Sequence, residues 1–311
     1  MIKIPTKGIE SNKSIFLKDI LNRYIAFLND KKISDPTNYG IICTYLSDSS
    51  GNISKDKVKE LICGKLSTLV GITNDLLLLY NNAGLKLHES LDGLIELYSN
   101  FSIRKLAYTW PEIIGVSVCP YCNRNYIFTV PRKKVRPQYD HYFPKSLYPH
   151  LCVSMYNLIP CCGMCNSFKS DDDPLANKII YPYAQGFDYD VFFSAYSSGK
   201  LLTDILDLNK RIYVEIISPN ESGLPFSLAY SKTNLKLSDL YKKHNDLVED
   251  IRRLSLIYKK DYIESLAANY YWIKNSNEAL DLLFLNRIQK DDWHKRPLSK
   301  MTHDLLEQFL S

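Results

Sequence analysis

The sequence predicts an α+β fold in which helices dominate. Helical spacing of apolar residues fills the first third of the chain, and a segment rich in Pro, Tyr and Cys follows it. The last segment is again strongly helical. A chain of 311 residues is long enough for one large domain or two modest ones. We expect a helical region over 1–109, a small core over 110–185, and a mixed, then mainly helical region over 186–311.

The helical prediction for the first region rests on apolar periodicity. Ser14 is the expected N-cap of the first helix, which runs to about residue 28. Similar patterns recur around 55–70, 74–81 and 86–99. The apolar positions of the first pattern are Leu17, Ile20, Leu21, Tyr24 and Leu28.

The middle of the chain predicts short strands. From Trp110 to about residue 185 there are β-prone runs at 126–130 and 138–143. Beyond it, RIYVEII at 211–217 alternates as a strand does, and FSLAYS at 226–231 is its expected partner.

Composition sets outer limits on function. Hydrophobic residues make up 45% of the chain and charged residues 23%, which is typical of a globular protein. No apolar run reaches 18 residues, so we expect no membrane span, and the N-terminus lacks the apolar region of a secretory signal. We therefore expect a cytoplasmic protein. The net charge of +5 permits binding to a polyanion without requiring it.

Two Cys-x-x-Cys pairs predict a structural zinc site. Cys119-Pro-Tyr-Cys122 and Cys162-Gly-Met-Cys165 offer four thiolates, the tetrahedral set that zinc prefers. A reducing compartment favours metal binding over disulfides for such pairs. The alternative is that all four thiols are core residues. Cys161 leaves an ambiguity of register, although only Cys162 has the right spacing to Cys165.

Between the two cysteine pairs stand an Asp-His pair and an asparagine, and a second asparagine follows the last cysteine. Asp140 and His141 are adjacent, so on a strand they would face opposite ways unless a metal lies at the strand's edge or end. There Asp140 could bind the metal while His141 faces a water molecule. Phosphodiester hydrolysis needs this combination of a hard cation and a base.

YDHYFPKS, followed by YNLIPCCGMCNSFK, resembles the ββα-metal core of the HNH endonuclease family with its structural zinc. The resemblance implies a zinc-stabilised nuclease core over 110–185. It assigns the first metal ligand to Asp140, the general base to His141, the loop-holding asparagine to Asn157 and the last metal ligand to Asn166. Because Asn166 replaces a histidine, a hard amide oxygen favours Mg²⁺ or Mn²⁺.

Basic residues near the motif are candidates for substrate contacts. PRKKVRP at 131–137 contains Arg132, Lys133 and Lys134, and Lys145 follows the Asp-His pair. Lys169 lies one helical turn beyond Cys165 and near Asn166, where it could contact a phosphate. The alternative for 132–136 is a solvated surface.

A wider pattern consists of CPYCNRNY, DHYFPKSLYPHL and NLIPCCGMCNSFK. It is similar to HNH proteins of bacterial anti-phage defence, such as the HNH subunit of Septu-type systems, which works with an ATPase partner. We therefore expect a metal-dependent endonuclease acting on DNA or RNA with a partner protein. The amphipathic stripe over 237–254 is the candidate docking surface, unless it is core. The alternative functions are a non-catalytic zinc-knuckle module that binds nucleic acid or protein, and a degenerate HNH fold kept as a scaffold.

Overall fold

A computed structural model of the protein describes residues 1–177, 179–188, 190–197, 205–217 and 226–310. Helices dominate it, and two small antiparallel sheets accompany them, which confirms the α+β prediction. The chain forms two compact units. Pro5–Val116 with Ile127–Tyr183 form the amino-terminal unit, and Met1–Ile4, Ser117–Tyr126 and Ala184–Ser311 form the carboxy-terminal unit. Residues 110–185 therefore contribute to both.

The amino-terminal unit is built mainly of helices. The first helix begins at residue 7 and not at residue 14, so Ser14 lies inside it and is not its cap. The helices of this unit are α1 (Lys7–Ser34), α2 (Pro36–Tyr45), α3 (Lys55–Cys63), α4 (Leu66–Asn82), α5 (Leu87–Ser90), α6 (Ile95–Ser102), α7 (Lys105–Ile114), α8 (Gly163–Lys169) and α9 (Pro174–Asn177).

Helix α1 packs closely against α7. The ring of Phe16 lies 4.8 Å from that of Trp110 and 5.6 Å from that of Phe101. All three side chains are buried. At Gly8 a Cβ atom would stand 2.0 Å from the carbonyl oxygen of Ile113, so only glycine permits this approach of the two backbones.

A two-stranded antiparallel sheet follows these helices. It pairs β1 (Gln138–His141) with β2 (Leu158–Cys161), and α8 begins two residues after β2. The order is therefore strand, strand, helix. The predicted strand over 126–130 is absent; isolated bridges stand in its place, one of which joins Val130 to Val135.

The carboxy-terminal unit holds the second sheet. Its strands are β3 (Phe192–Ser197) and β4 (Ile212–Ile217), and β4 alternates between buried and less buried residues as predicted. The expected partner at 226–231 is wrong, because those residues begin a helix. The helices of this unit are α10 (Phe226–Asn234), α11 (Leu237–Tyr241), α12 (Asn245–Ile257), α13 (Lys260–Asn269), α14 (Ser276–Leu283) and α15 (Ser299–Leu310).

Side chains of α15 cover the outer edge of β3. Gln308 accepts a hydrogen bond from the Ala195 amide at 2.7 Å and donates one to its carbonyl at 2.9 Å. Asp304 accepts from the Phe193 amide at 2.9 Å and pairs with the buried ammonium of Lys300 at 2.8 Å. An edge that would otherwise offer free backbone groups is satisfied in this way.

The apolar stripe over 237–254 is core and not a docking surface. Leu237, Tyr241, Val248 and Ile251 are buried within the carboxy-terminal unit. A short 3₁₀ turn over Lys242–His244 separates α11 from α12, so the stripe spans two helices. The proposal that a partner docks on this stripe is wrong for that reason.

Within the described residues, no single helix has both the length and the apolar character needed to cross a bilayer. Helices α3 and α4 reach that threshold only when taken together, by length and composition, and they are bent by 118° at their junction.

Replacing Phe16 by alanine should lower the free energy of unfolding by about 3–5 kcal/mol, because the ring is fully buried among aromatic neighbours. Denaturant titration followed by circular dichroism would measure the loss. The matched control is Ile15→Ala, since Ile15 directly precedes Phe16 in α1 and is 47% exposed. An equal loss for both variants would contradict the packing described.

Candidate functional site

The predicted motif residues meet at one cavity of about 490 Å³ in the amino-terminal unit. Asp140, His141 and Asn166 all line it. Asp140 pairs with Ile159 in the antiparallel register, and His141 ends β1 opposite Leu158. At the end of a strand, the side chains of adjacent residues can point toward the same space. This is the position at which Asp140 and His141 were expected to share a site.

His141 is held with one ring nitrogen engaged. Its Nε2 lies 2.9 Å from the carbonyl oxygen of Cys152, and only an N–H can bond to a carbonyl. The neutral ring therefore carries its proton on Nε2 and has an acceptor at Nδ1. The ring edge also packs on Tyr98, with centroids 4.3 Å apart. Burial is the main cause that lowers the pKa of His141 to about 3, and the charges of Lys145 and Lys169 add to it.

Asp140 is buried and paired with an internal cation. The Lys169 ammonium lies 3.2 Å from one carboxylate oxygen of Asp140. The same ammonium donates a hydrogen bond of 2.8 Å to the carbonyl of His141. Lys169 is only 1% exposed. This is not the exposed position that the expected phosphate contact requires; Lys169 instead stabilises the carboxylate of Asp140.

Asn157 closes the loop that joins the two strands. Its amide oxygen accepts from the Phe143 amide at 2.7 Å, and its amide nitrogen donates to the carbonyls of Phe143 and Leu151. The side chain is completely buried. Since Leu151 directly precedes Cys152, whose carbonyl bonds to His141, Asn157 fixes the segment that orients the imidazole. Holding this loop is the role that the resemblance to the HNH family implies for Asn157.

Asn166 lies on α8 with its amide nitrogen engaged. That nitrogen donates to the side-chain oxygen of Gln138 at 2.9 Å. The amide oxygen is then the atom with the chemistry of a metal ligand. The helix ends at Lys169. Ser170 follows it with a φ of 47°, which is unusual for a residue with a side chain, and it also lines the cavity.

The predicted basic residues separate into two groups. Lys145 lines the cavity. Arg132 and Lys133 lie in a 3₁₀ turn over Pro131–Lys133, and Lys134 follows it. These three side chains are exposed and do not line the cavity.

Several further residues line the cavity and were not selected from the sequence, among them Tyr98, Arg136 and Asp171. Arg136 donates hydrogen bonds to the carbonyls of Pro137 and Ser102, and its guanidinium lies 5.1 Å from the ring centroid of Tyr139. Its position in the basic segment PRKKVRP could have identified Arg136 from the sequence. Nothing in the sequence points to Tyr98, because it comes from a helix distant in the chain.

The four predicted zinc cysteines come together. The sulfur atoms of Cys119, Cys122, Cys162 and Cys165 all lie within 4.8 Å of one another. Zinc bound to four sulfurs at about 2.3 Å would place those sulfurs about 3.8 Å apart. The cluster therefore fits a tetrahedral zinc ion, and the register with Cys162 rather than Cys161 is the one formed.

The neighbouring thiols are not ligands in this cluster. Cys161 is buried on β2, and burial together with the nearby Asp140 raises its pKa well above the usual range. Cys152 donates to the carbonyl of Leu94, and burial raises its pKa to about 12. Such groups remain neutral thiols, and Cys152 is a core residue.

Comparison with known proteins finds one partial similarity of note. The chain is 32% identical over 77 residues to the Septu protein PtuB of Bacillus thuringiensis. The match covers 23% of this chain and 30% of that relative's length. No protein-family model matches the sequence, and no solved structure matches it. The similarity supports, for part of the chain, the Septu-type resemblance seen in the sequence.

Cys162→Ser should abolish binding of one zinc ion per chain and lower the yield of folded protein, because loss of a thiolate opens a closed four-sulfur site. Elemental analysis of purified protein would measure the metal. Cys63→Ser is the matched control, since Cys63 lies outside the cluster and should retain zinc. Folded wild-type protein without zinc would contradict the assignment.

The His141 ring should stay neutral in the folded protein as the pH falls from 6.5 toward 3, because its folded pKa is about 3. The unfolded chain takes up a proton near pH 6.5. The buried neutral ring should therefore destabilise the fold progressively below that pH. Imidazole NMR resonances, assigned by comparison with His141→Ala and recorded without Mg²⁺, would report the pKa. The same resonance in urea is the control, and a folded midpoint near 6.5 would contradict the prediction.

Proposed function

We propose that the protein is a metal-dependent endonuclease of the HNH type, which hydrolyses phosphodiester bonds in nucleic acid. One observation carries the proposal: Asp140, His141 and Asn166 line a single cavity beside a strand–strand–helix unit. Their order along the chain matches the HNH motif, with Asn166 standing in place of the final histidine.

His141 is suited to the role of general base. Its Nε2–H is held by the Cys152 carbonyl, which leaves Nδ1 as the atom that takes a proton from water. Burial keeps the ring neutral at physiological pH but also weakens Nδ1 as a base, so a bound cation would have to lower the pKa of the attacking water. A ring fixed by both a hydrogen bond and the Tyr98 edge keeps its direction during the reaction.

Asp140 and Asn166 fit a hard divalent cation such as Mg²⁺ or Mn²⁺. Both residues line the same cavity and carry side-chain oxygens, which are the ligands these cations prefer. When bound, the cation would neutralise charge that develops on the phosphate and the leaving oxygen. We assign the carboxylate of Asp140 as one ligand and Lys169 as the cation that balances its charge.

The zinc-binding cysteines support this site indirectly. Cys165 and Asn166 are neighbours on α8, and Cys162 is the residue that caps its start. A zinc ion held at that end would fix the helix that carries Asn166. We assign it a structural role, because a four-thiolate site leaves no position for substrate.

The partial similarity to a Septu protein supports a role in bacterial anti-phage defence together with a partner protein. We propose an ATPase subunit as that partner, as in Septu-type systems, and a cytoplasmic location.

A second candidate is a non-catalytic zinc module that only binds nucleic acid or protein. The cysteine cluster is as compatible with this zinc module as with the nuclease. The buried Asp140 distinguishes the two, since a binding module gains nothing from a carboxylate beside a base in a polar cavity. A degenerate HNH scaffold is disfavoured by the same pair.

His141→Ala should reduce cleavage by about 10²–10⁴-fold while zinc content and folding stay unchanged, because the imidazole acts on water and touches no cysteine ligand. The assay uses DNA and RNA duplexes with Mg²⁺ and with the partner protein present. His88→Ala is the matched control, since His88 is partly exposed and lies outside the cavity. Cleavage by His141→Ala at the wild-type rate would exclude the proposed base.

Asp140→Ala should also inactivate the protein, in part because it binds the metal more weakly. High Mn²⁺ should therefore restore some cleavage to Asp140→Ala but none to His141→Ala. This variant leaves the Lys169 ammonium buried without its partner, so thermal unfolding must be compared. Asp140→Asn keeps the side-chain shape and serves as a second variant. Full activity of both without added metal would contradict the assigned ligand.

A further inference from the structure

A small basic arm precedes the strand that carries Asp140 and His141. We define the basic arm as residues 128–136. Val130 and Val135 exchange two backbone hydrogen bonds of 2.9 and 3.2 Å, which close it as a narrow hairpin. Pro131–Lys133 forms the turn, and Lys134 completes it with a φ of 54°. The arm is therefore an ordered element and not an extended linker.

The tip of the basic arm concentrates positive charge in solvent. Arg132, Lys133 and Lys134 are consecutive and all exposed. The sides of the arm are exposed and apolar: Val130 is 45% and Val135 50% accessible. A compact cationic tip on a hairpin suits contact with a row of phosphates, whose spacing is regular along a nucleic acid.

Arg136 connects this arm to the cavity. It is the last residue of the arm and lines the cavity with Asp140 and His141. Two carbonyls and the faces of Tyr108 and Tyr139 hold its guanidinium in place. Its Nε is buried without a hydrogen-bond partner. The basic arm thus places positively charged side chains both at the surface and beside the candidate reaction centre.

We infer that the basic arm binds the phosphate backbone of a polynucleotide on one side of the bond to be cut, within about six nucleotides of it. Asp140 lies six positions after Lys134, and six extended residues span at most about 20 Å. One strand of a duplex advances about 3.4 Å per nucleotide along its axis, so this reach is about six nucleotides. The inference rests on the proposed nuclease function, and it names a substrate long enough to reach from cavity to arm.

The test is the salt dependence of binding to a fluorescent 20-base-pair duplex, as DNA and as RNA, measured by anisotropy in the His141→Ala background. Each lost phosphate contact should lower the slope of log K against log salt by about 0.9. The triple variant R132A/K133A/K134A should therefore lower it by nearly 3. Between 50 and 200 mM salt, the parent should lose about 40-fold more affinity than the triple variant.

The matched control is K55A/K59A/K86A, which removes the same charge from exposed lysines elsewhere in the amino-terminal unit. Its slope should stay near that of the parent. Equal slopes for the arm and control variants on both duplexes, or no binding by the parent, would overturn the inference.

Hydrolysis of bis(p-nitrophenyl) phosphate, which is too small to reach the arm, tests the cavity separately. The arm variant in an otherwise wild-type chain should retain this activity. If the arm variant loses hydrolysis of this small substrate, the arm affects the cavity itself, and the inference that it binds the backbone of a longer substrate is overturned. Absence of hydrolysis in the wild type, with the binding slopes as expected, would count against the nuclease function alone.

Discussion

The candidate site depends on the buried pairing of Lys169 with Asp140. Both side chains are almost fully removed from solvent, and a buried charge is tolerated only when another charge and hydrogen bonds compensate it. Lys169 meets this requirement twice, because it also donates to the backbone carbonyl of His141. One ammonium therefore ties α8 to both members of the Asp-His pair. Loss of either charge would leave the other uncompensated beside the cavity.

The same geometry explains how adjacent strand residues serve one cavity. A regular strand would direct Asp140 and His141 to opposite faces. Here β1 ends at His141, and the loop beyond it is held by the three side-chain hydrogen bonds of Asn157. Because that loop brings the Cys152 carbonyl to the imidazole, the ring direction is set by the loop rather than by the strand.

Much of the candidate site could be predicted because its determinants are local. The Cys-x-x-Cys spacing identified the cluster, and the short Asp-His and asparagine motifs identified the cavity residues. Lys169 was misjudged for a physical reason. Helical spacing correctly placed it on the face of Asn166, but α8 packs against β1, so part of that face is buried. Tyr98 and the true partner of β4 depend on contacts between residues distant in the chain, and periodicity carries no information about them.

Under the proposed function, the charges of the cavity and of the basic arm would contribute differently to substrate binding. Asp140 and Asp171 border it together with Arg136 and Lys145, so its walls mix carboxylates with cations. A phosphate approaching those carboxylates is repelled unless a divalent cation screens them, whereas the basic arm attracts phosphates with no metal present. Binding along the arm would then precede productive entry into the cavity, and the metal would decide whether the bound backbone can reach His141. Affinity and chemistry would thus reside on separate parts of one continuous segment, from Arg132 to His141.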